Sequence, residues 1–327
     1  MRLPNVITRA IVYKLLKGQD YRPDILLIID GEFLNYAIEF FKKVAEAKLS
    51  NQDINVDWYR ETMLSSRLPK EEIAQNAGLN IKTIHNSYQS TRREIVIDAS
   101  IDHYEKLKAI IEELLDTEES ISLEIIITFR KVSVTLNISE SLVVINALAV
   151  ARAAIRGGIW STAGKQVEAP LLQSLCALHR VPKRYFDQRD TPGHTRQADF
   201  YLKDRMGNYY RCEVKLMGKG NPESADAVFA RDCRVFIADT LSDLHKRQLD
   251  EHGILWMELR GSQDWQRFAE ILDHLQIPYK PIPVGKEDEW LEKVLDKVFS
   301  SVVAADRVQE EPSTYLAGDE LLVDLET

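Results

Sequence analysis

The sequence predicts an α/β fold, a mixed sheet flanked by helices, preceded by a mainly helical N-terminal domain that contains a helix-turn-helix. Three observations lead there. From residue 160 onward, short apolar runs such as CRVFIA (233–238) and ILWMEL (254–259) alternate with helical segments, the order that builds layered α/β domains. Before that point, apolar residues recur mostly at helical spacing. Between them, Leu68–Thr91 carries the punctuation of two short helices joined by a sharp turn.

In the first part, residues 6–17 and 32–48 read as helices, the second with Phe33, Ala37, Phe40, Phe41, Val44 and Ala45 at helical spacing. The apolar run DILLIID (24–30) suits either a strand or the start of that helix. Pro69, with Glu71 and Glu72 behind it, favours a helix start. Ile73 and Ala74 then begin an apolar face that ends at Gly78, where a sharp turn needs a residue tolerant of positive φ. A second helix follows from Ile81, with Ile84 inward. In a helix-turn-helix near 70–91, Asn80, Lys82, Thr83, Asn86 and Ser87 lie near the exposed start of the recognition helix. Asn suits adenine and Lys suits guanine or phosphate. Arg92 and Arg93 follow and suit the DNA backbone. The same turn also occurs in helical hairpins with a structural or dimerising role.

Residues 101–116 form an amphipathic helix with Tyr104, Leu107, Ile110 and Leu114 inward. Ile121–Leu136, rich in Ile, Val and Thr, reads as one or two strands. A helix capped by Ser139 or Ser141 is then expected to end at Gly157-Gly158, which sets the boundary between a domain at 1–156 and another at 157–302. The second domain reads as a helix over 164–180, strand-like residues 183–186, and a hairpin of Gln197–Lys203 and Tyr209–Met217 around Met206-Gly207-Asn208. A helical piece at 225–230, the strand 233–238, a helix at 242–252, the strand 254–259 and helices at 265–275 and 288–300 complete it. Residues 303–327, rich in Asp and Glu, are expected to form a flexible acidic tail.

A net charge of −9 excludes a uniformly basic, coat-like nucleic-acid binder. The acidic tail supplies much of that excess, so a local basic face remains possible. The three cysteines show no metal-binding spacing and read as reduced thiols of a cytoplasmic protein. The seven histidines form no HxxxH or HExxH pair. Neither a signal peptide nor an apolar run of about 18 residues is expected. His245-Lys246-Arg247 reads as solvent-facing, and Trp160 as a core anchor.

The chemistry concentrates in the hairpin. Side chains alternate faces along a strand, so Glu213 and Lys215 share one face and Val214 takes the other. Antiparallel pairing can bring Asp199 beside Glu213. Two carboxylates and an ammonium suit a divalent metal and an activated water, with the Val214 carbonyl a possible third ligand. Mg²⁺ fits such oxygen donors. Lys219, in Gly218-Lys219-Gly220, suits a phosphate chain, and an upstream S-x-x-G-K-x-x-E run ends in Glu168. A basic, aromatic stretch (Arg180, Lys183, Arg184, Tyr185, Phe186, Arg189) suits a DNA backbone or an ordinary solvated loop equally.

Glu168 on a helix, Asp199 on one strand and Glu213-x-Lys215 on the next resemble the PD-(D/E)xK nuclease superfamily, whose helix–three strands–helix–strand core matches the order over about 158–260. The residue before Asp199 is Ala198 rather than proline, a departure shared by many members. The resemblance implies a restriction-endonuclease-like core and Mg²⁺-dependent DNA cleavage. It implies Asp199 and Glu213 as metal ligands, Lys215 as the catalytic lysine and Glu168 as an accessory acid. Within the superfamily the whole chain looks most like a type II restriction endonuclease of the CfrBI group, which reads CCWWGG-type palindromes. That likeness implies double-stranded DNA as substrate, a homodimer, and a cognate DNA methyltransferase in the same cell. A structure-specific repair or recombination nuclease is the nearest alternative. A non-catalytic helix-turn-helix regulator is another.

Overall fold

A computed structural model describes residues 3–79, 81–117, 123–129, 131–187, 200–216, 232–260 and 267–310. Helices α1 (Asn5–Leu16), α2 (Arg22–Leu49), α3 (Val56–Met63), α4 (Lys70–Asn76), α5 (Ile81–Tyr88) and α6 (Arg93–Thr117) come first. Then follow β1 (Ile125–Phe129), β2 (Val132–Leu136) and the long α7 (Ile138–Leu178). After a 3-10 turn at Lys183–Tyr185 come β3 (Phe186–Asp187), β4 (Phe200–Lys203), β5 (Tyr209–Lys215) and β6 (Val235–Ala238). The remaining elements are α8 (Asp243–Glu251), β7 (Leu255–Glu258), α9 (Arg267–His274) and α10 (Glu287–Glu310).

By their contacts, Met1–Leu3 and Asp20–Gln166 form one unit, and Pro4–Gln19 with Val167–Thr327 form the other. The first unit is helical around one hairpin. DILLIID lies inside α2, because Ile25 and Ile29 are buried four residues apart while Leu27 is 74% exposed, a helical and not an alternating pattern. Phe40, Val44, Tyr59, Ile73, Ala77 and Leu136 are buried together in its core. Gly78, at φ +78°, is needed for two reasons: the turn demands that backbone, and an added Cβ would lie 2.9 Å from Val150 Cβ. Ile110 faces outward at 53% exposure, against the expectation for α6. The single hairpin β1–β2 pairs Ile125 with Leu136 and Phe129 with Val132.

Two expectations for α7 are corrected. Asn137, not a serine, caps it: Glu140 N–H donates to Asn137 Oδ1 and Asn137 N–H donates to Glu140 Oε2, each at 3.0 Å, a reciprocal capping box. Nor does Gly157-Gly158 stop the helix. Neither glycine takes the positive φ of a helix C-cap, and burial of Ile155 and Ile159 on either side offsets a propensity cost of about 1 kcal/mol per glycine. By length and composition α7 is apolar enough to cross a membrane, although Arg152 and Arg156 interrupt any wholly apolar run of about 18 residues; 44% of its most apolar window is buried inside the fold.

The second unit holds a mixed sheet of five strands, ordered β3-β4-β5-β6-β7 and flanked by helices. β3, β4 and β5 pair antiparallel, whereas β5–β6 and β6–β7 are parallel. Phe200, Leu202, Cys212, Val214, Val235, Ile237 and Met257 are all buried. On the other face of β6 and β7, Leu249 of α8 packs with Phe236, Ala238 and Trp256. Helix α1 joins this unit through α10: Arg9 Nη2 reaches Glu292 at 2.5 Å and Asp296 at 2.7 Å, and Lys17 reaches Asp288 at 2.6 Å. His245 is buried at 7% exposure on α8, which corrects the expectation that it faces solvent. Helix α10 runs on to Glu310, eight residues into the stretch expected to be tail; residues 311–327 lie outside the described residues.

Candidate active site

Strand alternation and register place the chemistry. Phe200 pairs with Cys212, Tyr201 with Arg211, Leu202 with Tyr210 and Lys203 with Tyr209. Phe200, Leu202, Cys212 and Val214 therefore face the buried side, and Tyr201, Lys203, Tyr209, Arg211, Glu213 and Lys215 share the opposite one. Glu213 is held deep, because its neighbours in sequence, Cys212 and Val214, are both fully buried. Lys215 closes the strand, and its carbonyl accepts a 3.2 Å hydrogen bond from Asp239 N–H.

Lys215 Nζ lies 3.1 Å from Glu213 Oε1 and 3.4 Å from Glu168 Oε1. Side-chain exposure is 1% for Glu213, 14% for Glu168 and 26% for Lys215. Glu168 comes from the last third of α7, 47 residues before the lysine. Burying charge is costly unless it is paired, and here two acids share one ammonium. A second locked pair stands beside them. Asp239, 2% exposed, takes both guanidinium donors of Arg260, at 2.9 and 2.6 Å, just past the ends of β6 and β7.

Carboxylate oxygens match the needs of Mg²⁺, which commonly takes one or two protein carboxylates and keeps several waters. Among the described residues no group of three or more His, Cys, Asp or Glu side chains stands close enough to hold a metal. Asp199 and Lys219 lie outside the described residues. Strand β4 begins at Phe200, the residue after Asp199, and Phe200 pairs with Cys212, the residue before Glu213. The Val214 side chain is fully buried on the face away from Glu213 and Lys215.

The other expected DNA contacts fall in the first unit. Asn80 lies outside the described residues; Lys82 and Thr83 are placed by their backbone in α5, and Asn86 and Arg92 are exposed. Arg93 braces the entry to α4, its guanidinium donating to the carbonyls of Ser66 and Leu68. Arg180 stacks its guanidinium over Trp290 at 4.7 Å, and Arg184 over Tyr185 at 4.9 Å. Trp160 meets Tyr21 edge-on at 6.5 Å. All three cysteines are buried free thiols, as their spacing suggests; burial pushes the Cys233 thiol up to about 12. The sequence reading passed over Tyr201, Lys203, Tyr209 and Arg211, whose signal was the period-2 alternation that links them to Glu213.

Residues 5–246, a span that includes Glu168, Asp199, Glu213 and Lys215, match the family model described as CfrBI restriction endonuclease. The chain belongs to the CfrBI restriction endonuclease family. No curated protein and no solved structure matches it. Membership makes this a restriction endonuclease, a hydrolase acting on double-stranded DNA. The family match stops at residue 246, so β7, α9 and α10 lie beyond it.

Proposed function

We propose that the chain is a type II site-specific deoxyribonuclease of the PD-(D/E)xK kind, which uses Mg²⁺ to hydrolyse duplex DNA at a short palindromic site, CCWWGG-type if it follows its group. The observation that carries this reading is the convergence of Glu213 and Glu168 on Lys215 at the end of a buried strand. Asp199 and Glu213, with the Val214 carbonyl, would hold the metal. When bound, that ion supplies charge stabilisation at the phosphate and acidifies a water.

The chain's own residues do the rest. Glu213, fixed in a buried strand, offers a carboxylate with little freedom to move. Glu168 and Glu213 hold the Lys215 ammonium between them, and its side chain stays 26% exposed. From there Lys215 can orient the attacking water and offset charge that develops on the phosphoryl oxygens. The α4–α5 pair acts as the helix-turn-helix, with Asn80, Lys82, Thr83 and Asn86 toward bases and Arg92 toward phosphates, while Lys219 in the second unit is a separate phosphate contact. A palindrome presents two related half-sites, so the working species is a homodimer. It acts in the cytoplasm beside a methyltransferase that protects the same sites.

Digestion of plasmid with Mg²⁺, followed by run-off sequencing of the ends, tests this reading. Discrete fragments from the wild-type protein, absent for Lys215→Ala and Asp199→Ala, are expected. One removed transition-state donor costs about 10²–10³ in rate. Fragments that persist in both variants would remove these residues from catalysis, and preferential cutting of flaps or junctions would replace the site-specific reading with a structure-specific one.

A further inference from the structure

The face that carries Glu213 and Lys215 does not end with them. Going back along β5 it holds Arg211 and then Tyr209, and beside them on β4 lie Tyr201 and Lys203. Same-face positions step by about 6.7 Å along a strand. Arg211 is thus one step from Glu213, and the Lys203–Tyr209 pair lies roughly 20 Å from Lys215. Lys203 Nζ sits 5.0 Å from the centre of the Tyr209 ring, and Tyr201 meets that ring edge-on at 6.2 Å. Tyr209 is 51% exposed, and Arg205 in the adjoining turn is also exposed.

The charges of Lys203 and Arg205 are not cancelled locally. The acid in the turn, Asp204, is engaged by its own loop: Met206 N–H and Asn208 N–H donate to Oδ1, and Asn208 Nδ2 and Tyr210 OH donate to Oδ2. Among the described residues neither Lys203 nor Arg205 forms an ion pair. Asp187, paired with Tyr201 on β3, and Glu213 on β5 are acids that share the face. In a chain of net charge −9, two cations and a tyrosine leading straight to the reacting lysine call for an anionic occupant.

We propose that Lys203, Arg205 and Tyr209, with Arg211, form a track that holds the phosphate backbone of duplex DNA and feeds it to Glu213 and Lys215. The track rests on the reading of this site as a DNA nuclease. Duplex DNA carries one charge per about 1.7 Å of axis, so a run of roughly 20 Å meets several phosphates. Contacts of this kind set register and affinity and read no sequence.

Binding, measured apart from cleavage, tests it. A fluorescent random-sequence duplex is titrated in metal-free buffer over a salt series with wild type, Lys203→Ala/Arg205→Ala and, as a control on α10, the exposed Lys293→Ala. Wild type and Lys293→Ala should bind alike. The double variant should lose roughly tenfold at moderate salt, and its plot of log affinity against log salt should flatten by about 1.8, or 0.9 per lost phosphate contact. A double Lys203→Gln/Arg205→Gln variant should repeat the result if the alanine form misfolds. Wild-type affinity and slope in either folded double variant would overturn the track, as would a wild type that fails to bind duplex. Duplex binding lost in the double variants, from a wild type that never cleaves, would keep the track and defeat the nuclease reading.

Discussion

Glu140 in the helical unit and Glu213 in the sheet unit are both buried acids, and they are buried for different ends. Glu140 is 3% exposed and gathers its partners from three separate segments. Asn137 N–H and Ile54 N–H donate to it at 3.0 Å, and Lys48 Nζ lies at 2.7 Å. Burial opposes its ionisation, but Lys48 and the two amides outweigh that and hold its carboxyl below the usual range. The result ties α2, the loop before α3 and the start of α7 together. Glu213 instead faces a lysine that a second acid shares, at the end of a strand whose face is open toward Arg211 and Tyr209. One acid closes a fold; the other shares its lysine with a second acid. Both acids face a lysine, so burial beside an ammonium does not by itself mark function; the difference is that Glu140 also accepts two backbone N–H groups, whereas the lysine of Glu213 is shared with Glu168.

Exchanging the two acids should separate chemistry from stability most widely. Glu213→Gln should cut cleavage by about 10³-fold, close to 4 kcal/mol of barrier, with a melting temperature near wild type. Glu140→Ala should do the reverse, costing roughly 3 kcal/mol of stability in a denaturant titration while the rate at saturating DNA stays near normal. A stable but inactive Glu140→Ala protein would erase the distinction.

A smaller effect is expected at Asn76, fully buried at the end of α4. It accepts from Tyr36 OH at 3.1 Å, donates to Met63 O at 2.6 Å, and its carbonyl accepts from Tyr59 OH at 2.7 Å. Burial pushes Tyr36 up to about 12 and Tyr59 well above the ordinary phenol range, so both remain neutral donors. Asn76→Ala strands two of these groups and should cost about 2 kcal/mol, visible as a lower melting temperature by calorimetry. An unchanged melting temperature would show that the α4 anchor lies elsewhere.

The smallest effect is at the hairpin turn. Burial works against ionised Asp204, but Asn208, Tyr210 and Met206 together lower its carboxyl from 3.8 to about 2. A carboxylate depressed in the folded state stabilises above its unfolded value and loses that contribution as pH falls toward its folded one. The turn's contribution should therefore be full above pH 3.8 and fade toward pH 2. Asp204→Asn should remove that part of the acid dependence from the urea midpoint; an unaltered acid limb would assign it to other carboxylates.

Much of the site was legible because its signals are local. Alternation alone puts Glu213 and Lys215 on one face, and the positive φ at Gly78 follows from a turn that only glycine fits well. Helix α7 shows where local reasoning fails. Gly157-Gly158 is a stop signal in isolation, yet the helix continues because the burial of its neighbours outweighs the propensity of two residues. His245 and Ile110 exchange their expected environments for the same reason: which side of a helix is covered depends on what packs against it.

By itself, the sequence determined the strand faces, the turns and the pairing of an acid with a lysine two residues on, since each depends on dihedral preferences within a few residues. Only the tertiary structure decided that Glu168 reaches Lys215 across 47 residues, that Arg93 braces a loop, and that Asp239 is locked by Arg260. Those contacts depend on how distant segments close upon one another, and no local preference encodes the distance between them.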